Sequence, residues 1–324
     1  IAIQQCDLYN TAMDGVLIID KSPDMTSHDV VARVRHILHE RRIGHSGTLD
    51  PFATGVLVVL VGRATRLAQF LTAADKEYEA IIRLGFATDT GDRTGKPIDG
   101  PTLPAKRNWT DADVEKALLV LTGDIEQVPP MYSAKKLQGR RLYELARRGE
   151  TVHRDPIKVC IHEFHAIKTA GEMIKDNFDG TFDLAARVVC SSGTYVRTLA
   201  EDFGKRLGVG AHLAELRRTR VGPFQLTHAT SLADLKVRFA EEAVGTLLVS
   251  PTAALSHMPL LHLTEDDERR ARHGMEVSVE ETEWTDGTQV RMCSKDDELI
   301  AIGDFDAKQR RLHPHVVLAT AEHT

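Results

Sequence analysis

The stretch Gly44-His45-Ser46-Gly47-Thr48-Leu49-Asp50-Pro51-Phe52-Ala53-Thr54-Gly55 constrains this chain more than any other, because it sets one carboxylate among three glycines and a proline within twelve residues. Glycine reaches backbone conformations closed to other side chains, and Pro51 stiffens the exit directly after Asp50. The apolar run Val56-Leu57-Val58-Val59-Leu60-Val61 follows at once and reads as a strand buried on both faces. A loop anchored to such a strand holds its acid in a fixed pose. An ordinary turn or cap aspartate needs no scaffold of this kind.

Around that loop the pattern predicts an α+β chain. Residues 15–20 read as a strand, Lys21-Ser22-Pro23-Asp24 turns, and Thr26, Ser27 and Asp29 offer cap oxygens for a helix to about residue 39. A short helix over 64–71 precedes a strand over 76–86 whose one face carries Tyr78, Ala80, Ile82, Leu84 and Phe86. A capped helix over 110–121, strands over 157–167 and 181–191, a helix to about 207 and another over 231–243 follow. In the tail, 260–263, 276–279, 289–292 and 299–302 read as short strands after a small helix. The expected domains are 1–250 and 258–324. Tyr195 and Arg197 fall in the first turn of the helix after Gly193-Thr194, where an arginine opposes the helix dipole and predicts an anionic partner.

The net charge of −6 speaks against a polyanion-binding protein only if charge is evenly spread. It is not: residues 31–70 carry a surplus of +4, 131–158 of +5 and 196–220 of +3, whereas 263–312 carry −6. The basic segments are positioned to converge on one phosphate-binding face. No unbroken apolar stretch approaches the ~18 residues of a membrane helix, and no signal peptide is visible. Cys6, Cys160, Cys190 and Cys293 lie far apart, without metal-ligand spacing, and read as reduced thiols used in packing. His162-Glu163-Phe164-His165 has its histidines at the wrong spacing for a zinc protease, and Gly91 to Lys96 departs from a phosphate loop.

From Gly44 to Leu57 the chain resembles, without a gap, the catalytic motif of the TruB family of pseudouridine synthases, which convert uridine to pseudouridine in the T arm of tRNA. Lys76-Glu77-Tyr78, Gly193-Thr194-Tyr195-Val196-Arg197 and Leu216-Arg217-Arg218-Thr219 resemble further family motifs, and the likeness covers roughly residues 14–219. It implies a pseudouridine synthase fold with a mixed or antiparallel central sheet, a small mainly β PUA-like C-terminal domain, and a basic thumb at about 127–155 that closes on the T stem-loop. It makes Asp50 the catalytic carboxylate, with Arg197 as its partner. It gives His45 the place of the extruded base, Tyr78 a stacking role on that base, and Tyr195 and Leu216 the pocket walls. Lys21 is a structural or weak RNA-contact residue, in a turn that departs from the family's Lys-Pro-x-Gly. The resemblance also implies no cofactor, no metal, tRNA as partner without membrane or protein partner, a monomer, and a cytoplasmic location. The catalytic subunit of a guide-RNA particle and a non-catalytic RNA-binding protein are the competing readings.

Overall fold

The computed structural model describes residues 13–98, 109–133, 152–168, 171–280 and 282–318, together with Lys136, Leu137, Arg140, Arg141, Leu145, Arg148 and Glu150. Residues 134–135, 138–139, 142–144, 146–147, 149 and 151 of the expected thumb, and Cys6, lie outside the described residues.

Strands β1 (Gly15–Lys21), β2 (Ile43–Ser46), β3 (Thr54–Val61), β4 (Lys76–Leu84) and β5 (Gly123–Gln127) alternate with helices α1 (Ser27–Leu38), α2 (Ala68–Thr72) and α3 (Asp111–Val120). A two-stranded ribbon, β6 (Lys136–Leu137) and β7 (Arg140–Arg141), precedes β8 (Ile157–Ala166), β9 (Ile174–Asp176), β10 (Phe182–Cys190), α4 (Val196–Arg206), β11 (Ala211–Val221) and β12 (Phe224–Gln225). Helices α5 (Leu232–Ala240) and α6 (Pro251–Ala254) close the N-terminal part. The main sheet runs β1-β3-β11-β4-β10-β8-β5, with β2 beside β3, β9 beside β10 and β12 beside β11. Its pairs are antiparallel except for β3 with β11, so the sheet is mixed, as expected.

That single parallel contact depends on a glycine. Gly55 has φ +101°, and a Cβ there would lie 2.2 Å from the carbonyl oxygen of Arg218, so only a bare backbone lets β11 approach the end of the Asp50 loop. Beyond it β3 is buried on both faces. Val56, Val58 and Leu60 enter one apolar cluster, while Leu57, Val59 and Val61 pack with Val30, Val31, Val34 and Leu38 of α1 and Leu235 of α5. Of the cap oxygens expected for α1, those of Thr26 and Asp29 form a capping box, with Thr26 accepting from the backbone of Asp29 and Asp29 accepting from that of Thr26.

The C-terminal part is a separate five-stranded sheet, β13 (Leu260–His262), β14 (Val277–Ser278), β15 (Gln289–Cys293), β16 (Leu299–Asp306) and β17 (Arg311–Val317), with α7 (Glu265–Arg272) against it. Strand β13 precedes the small helix rather than following it, and β17 was not predicted because His313, Pro314 and His315 break its apolar pattern. This sheet is seated on the N-terminal part. Leu255, Met258, Cys293, Leu299, Ile302 and Leu318 share the cluster of Val56, Val58 and Leu60, while Arg63 donates to the carbonyl of Leu318 and Arg66 to that of Val317. Cys190 and Cys293 are buried, as predicted. Cys160 is not a core residue: on the outer face of β8 its Sγ lies 3.7 Å from Nδ1 of His162.

Candidate active site

The Asp50 loop is held by its main chain. Ser27 Oγ accepts from Leu49 N at 2.9 Å and donates to Leu49 O at 3.2 Å. Lys21 Nζ donates to the carbonyls of Ser22, Met25 and Pro51 at 2.8–3.0 Å. Lys21 is fully buried, and its three N–H bonds are all used, which makes it a structural member of the loop. Burial pushes its amine down to about 8. Arg218, only 1% exposed, donates to Val56 O at 2.7 Å, Gly47 O at 3.0 Å and Thr48 O at 3.4 Å, and so ties the loop entrance to the strand that follows it. Leu49, Phe52 and Ala53 anchor the loop in the core beneath α4.

Asp50 emerges from this frame with its side chain 32% exposed, facing a guanidinium that is 6% exposed. Arg197 Nε lies 2.8 Å from Oδ2 and Nη2 lies 3.2 Å from Oδ1, a two-point contact that fixes the carboxylate plane. The remaining donors of Arg197 go to Tyr132 O at 2.7 Å and Thr90 O at 2.9 Å, and Asp92 Oδ2 stands 3.9 Å from Nη1. Asp92 is itself fixed by Thr90 Oγ1, Thr94 Oγ1 and Thr94 N. Helix α4 has no acid in its first turn, so the arginine that opposes its dipole is balanced from outside by Asp50 and Asp92.

Asp50 and Arg197 border a cavity of about 390 Å³, within the range typical of ligand pockets, whose walls also include Lys76, Tyr78, Tyr195, Leu216 and Arg218. Tyr78 is buried on the inner face of β4, where burial raises its hydroxyl above the usual tyrosine range while Arg218 pulls against that rise. Tyr195 caps α4. Its backbone is held by Gln127, which accepts from Tyr195 N at 3.0 Å and donates to Tyr195 O at 3.3 Å, and burial raises its hydroxyl too. Leu216 lies on β11 opposite Ala80. Five of the predicted residues, Asp50, Tyr78, Tyr195, Arg197 and Leu216, therefore line one cavity.

A second cavity of about 680 Å³ shares Asp50 and Arg197 and adds Thr26, His28, Pro51 and Tyr132. His45 lines neither. It sits on β2 with its ring 5.3 Å from that of His28, edge to face, and its Nδ1 is buried without a partner among the described residues. Burial first, then His28 and Arg218, push its imidazole down to about 4, so it is neutral at pH 7.

Ser27, Lys76, Asp92, Gln127 and Arg218 were not singled out from the sequence as site residues. Two carried a usable signal: with a period of two, Lys76 shares the face of Tyr78, and Arg218 that of Leu216.

The family model described as "TruB family pseudouridylate synthase (N terminal domain)" matches residues 35–196, and that described as "tRNA pseudouridylate synthase B C-terminal domain" matches residues 197–255. The chain is 47% identical over 266 residues to the tRNA pseudouridine synthase B of Thermobifida fusca, covering 82% of this chain and 87% of that one. It is 44% identical to the corresponding protein of Geobacillus thermodenitrificans, covering 81% and 85%. Among solved structures, a Cbf5-Nop10-Gar1 complex provides a chain that matches with TM-score 0.70 and 27% identity over 95% of this chain and 86% of that one. Two family models meeting end to end across the sheet that builds the Asp50 pocket, and relatives similar over most of their own length, establish that this chain belongs to the TruB family of pseudouridylate synthases.

Proposed function

We propose that the chain isomerises a uridine in the T-arm loop of tRNA to pseudouridine, at position 55 by family likeness, as a stand-alone enzyme without a cofactor. The observation that carries the reading is the two-point Asp50–Arg197 pair on the wall of a half-open pocket lined by Tyr78, Tyr195 and Leu216. The reaction breaks the N1–C1′ bond, turns the uracil and joins C5 to the same carbon, with no change of redox state. It needs a positioned carboxylate beside C1′ and walls that keep the detached base from leaving. Asp50 supplies the first, as nucleophile toward C1′ or as base toward the 2′ proton. The pocket supplies the second.

A nucleotide stacked in an RNA loop must first be extruded at a cost of a few kcal/mol. Stacking on Tyr78 offsets this by about 1–3 kcal/mol, and a neutral His45 suits the vacated stack better than a charged one. The basic surplus of residues 131–158 serves as a phosphate-tracking thumb, and the β-rich C-terminal domain as a PUA-like RNA contact. A monomer acting in the cytoplasm completes the proposal; no described helix is long and apolar enough to cross a membrane.

The test is tritium release from C5-labelled uridine in unmodified tRNA. Wild type is expected to release tritium, Asp50→Asn to bind the same tRNA without release, and a T-arm hairpin with cytidine at the target to yield no product. Release by Asp50→Asn would remove the carboxylate from its role. A second reading, subunit of a guide-RNA particle, draws on the complexes in which the structural neighbours were solved. Turnover of bare tRNA separates the two.

A further inference from the structure

The floor of the uracil pocket contains two buried cations that the Asp50–Arg197 pair does not explain. Lys76 is 7% exposed and Arg218 is 1% exposed, and both line the same cavity as Asp50. Neither has a carboxylate within 4.0 Å among the described residues, although buried cations are ordinarily paired. Their hydrogen bonds go to main-chain carbonyls. Lys76 Nζ donates to Thr72 O at 2.7 Å and Ala74 O at 2.5 Å, which leaves one of its three N–H bonds without a partner among the described residues. Arg218 is the cross-strand neighbour of Tyr78, and Lys76 is two residues before Tyr78 on the same face of β4, so all three surround one end of the cavity. Placing two unneutralised positive charges side by side in a protein interior is unfavourable by itself. Burial, and after it Arg218, push the Lys76 amine down to about 8, which still leaves it mostly protonated at pH 7. An arrangement this unfavourable is balanced when negative charge enters the pocket.

The reaction proposed above generates such a charge. When the N1–C1′ bond breaks, its electron pair stays with the base, and whether C1′ is taken by an Asp50 oxygen or C2′ loses a proton to Asp50, the detached uracil is an anion until C5 attacks C1′. In the covalent route that attack breaks the C1′–O bond and returns its electron pair to the Asp50 carboxylate; the C5 proton then leaves, N1 gains one, and a glycal, if formed, recovers its proton at C2′, so atoms and charge balance for an isomerisation. We infer that Lys76, with Arg218 behind it, is a catalytic residue that stabilises the departed uracil anion while it turns. The inference rests on the proposed function, since it requires uracil in this pocket. Preorganised charge aimed at developing charge in a water-poor site is among the largest contributions an enzyme makes, and removal of one such donor typically lowers kcat about 100–1,000-fold.

The experiment compares wild type with Lys76→Met and Lys76→Gln on T-arm hairpins carrying uridine or 4-thiouridine at the target, whose thiocarbonyl lets the base depart as a better stabilised anion. Single-turnover rates and hairpin affinity are both read, and wild-type affinity certifies a folded variant. The expected result is unchanged affinity, a loss of about 100-fold in rate with uridine, and a distinctly smaller loss with 4-thiouridine. Equal losses on both substrates, undiminished rates, or a loss of affinity in place of rate would overturn the anion-stabilising role. Should wild type itself fail to convert the uridine hairpin, the functional reading fails instead.

Discussion

The residues that carry this site differ in how they announce themselves. Arg197 was legible because a cation in the first turn of a helix asks for an anion, and Asp50 because a glycine-rich loop before an apolar strand has no structural need for an acid. Lys76 and Arg218 gave only the weaker signal of sharing a strand face with Tyr78 and Leu216, because charge in a strand ordinarily reads as solvent-facing, and here both face inward with main-chain carbonyls in place of water. That placement has a measurable consequence. Lys76 has a folded value of about 8 against an ordinary 10.5, so between these pH values the unfolded chain binds more protons than the native one, and native stability contributed by this group rises with pH. Its cause is burial, then Arg218, with Asp75 and Cys190 acting in the opposite sense. Lys76→Met is therefore expected to raise the thermal midpoint at pH 7, with the gain shrinking by pH 9.5. Midpoints by circular dichroism at the two pH values check it, and a gain that grows with pH would contradict the sign.

Among elements, β3 and the loop before it were readable from composition, whereas β11 was not. Its second half, Glu215 to Arg220, is largely polar, and polarity in a central strand is tolerated here because its outer face meets partners: Arg220 and Thr219 reach Glu77, and Arg217 pairs with Asp20 at 2.8 Å. No single-strand pattern contains that information, since each partner lies more than a hundred residues away. The short β9 was equally hidden, with three residues and one buried side chain. The point at which β11 meets β3 gives the sharpest test of the element. Gly55→Ala places a methyl against the Arg218 carbonyl and forces an L residue to φ +101°, so a loss of about 3 kcal/mol is expected. Urea unfolding measures it. A substitution tolerated within 0.5 kcal/mol, on the order of an ordinary surface change, would show that the strands separate at no cost.

For the whole molecule, the division at about residue 250 matches a change of sheet but not a change of core. The cluster behind the Asp50 strand contains Val16, Val56 and Leu60 from one side and Cys293, Ile302 and Leu318 from the other. Charge and strand patterns locate two domains. They do not reveal that one apolar seam serves both, because an inward residue looks the same whichever neighbour covers it. The two tryptophans report on the seam separately: Trp109 lies in the catalytic core and Trp284 beside Phe305 in the C-terminal domain. In a Trp109→Phe background, Trp284 fluorescence is expected to melt in a single transition that coincides with loss of the catalytic sheet by circular dichroism. Two separated transitions would mean that the domains are held independently.

The seam also limits how such a chain can diverge. A methyl lost at Ile302 leaves a void in the cluster that Val56 and Leu60 share, and those residues belong to the strand that follows the Asp50 loop. Exchanging tails between relatives is then a transplant with two matched surfaces, in which an ill-fitting graft shifts the ground under Asp50 before it touches any nucleic acid.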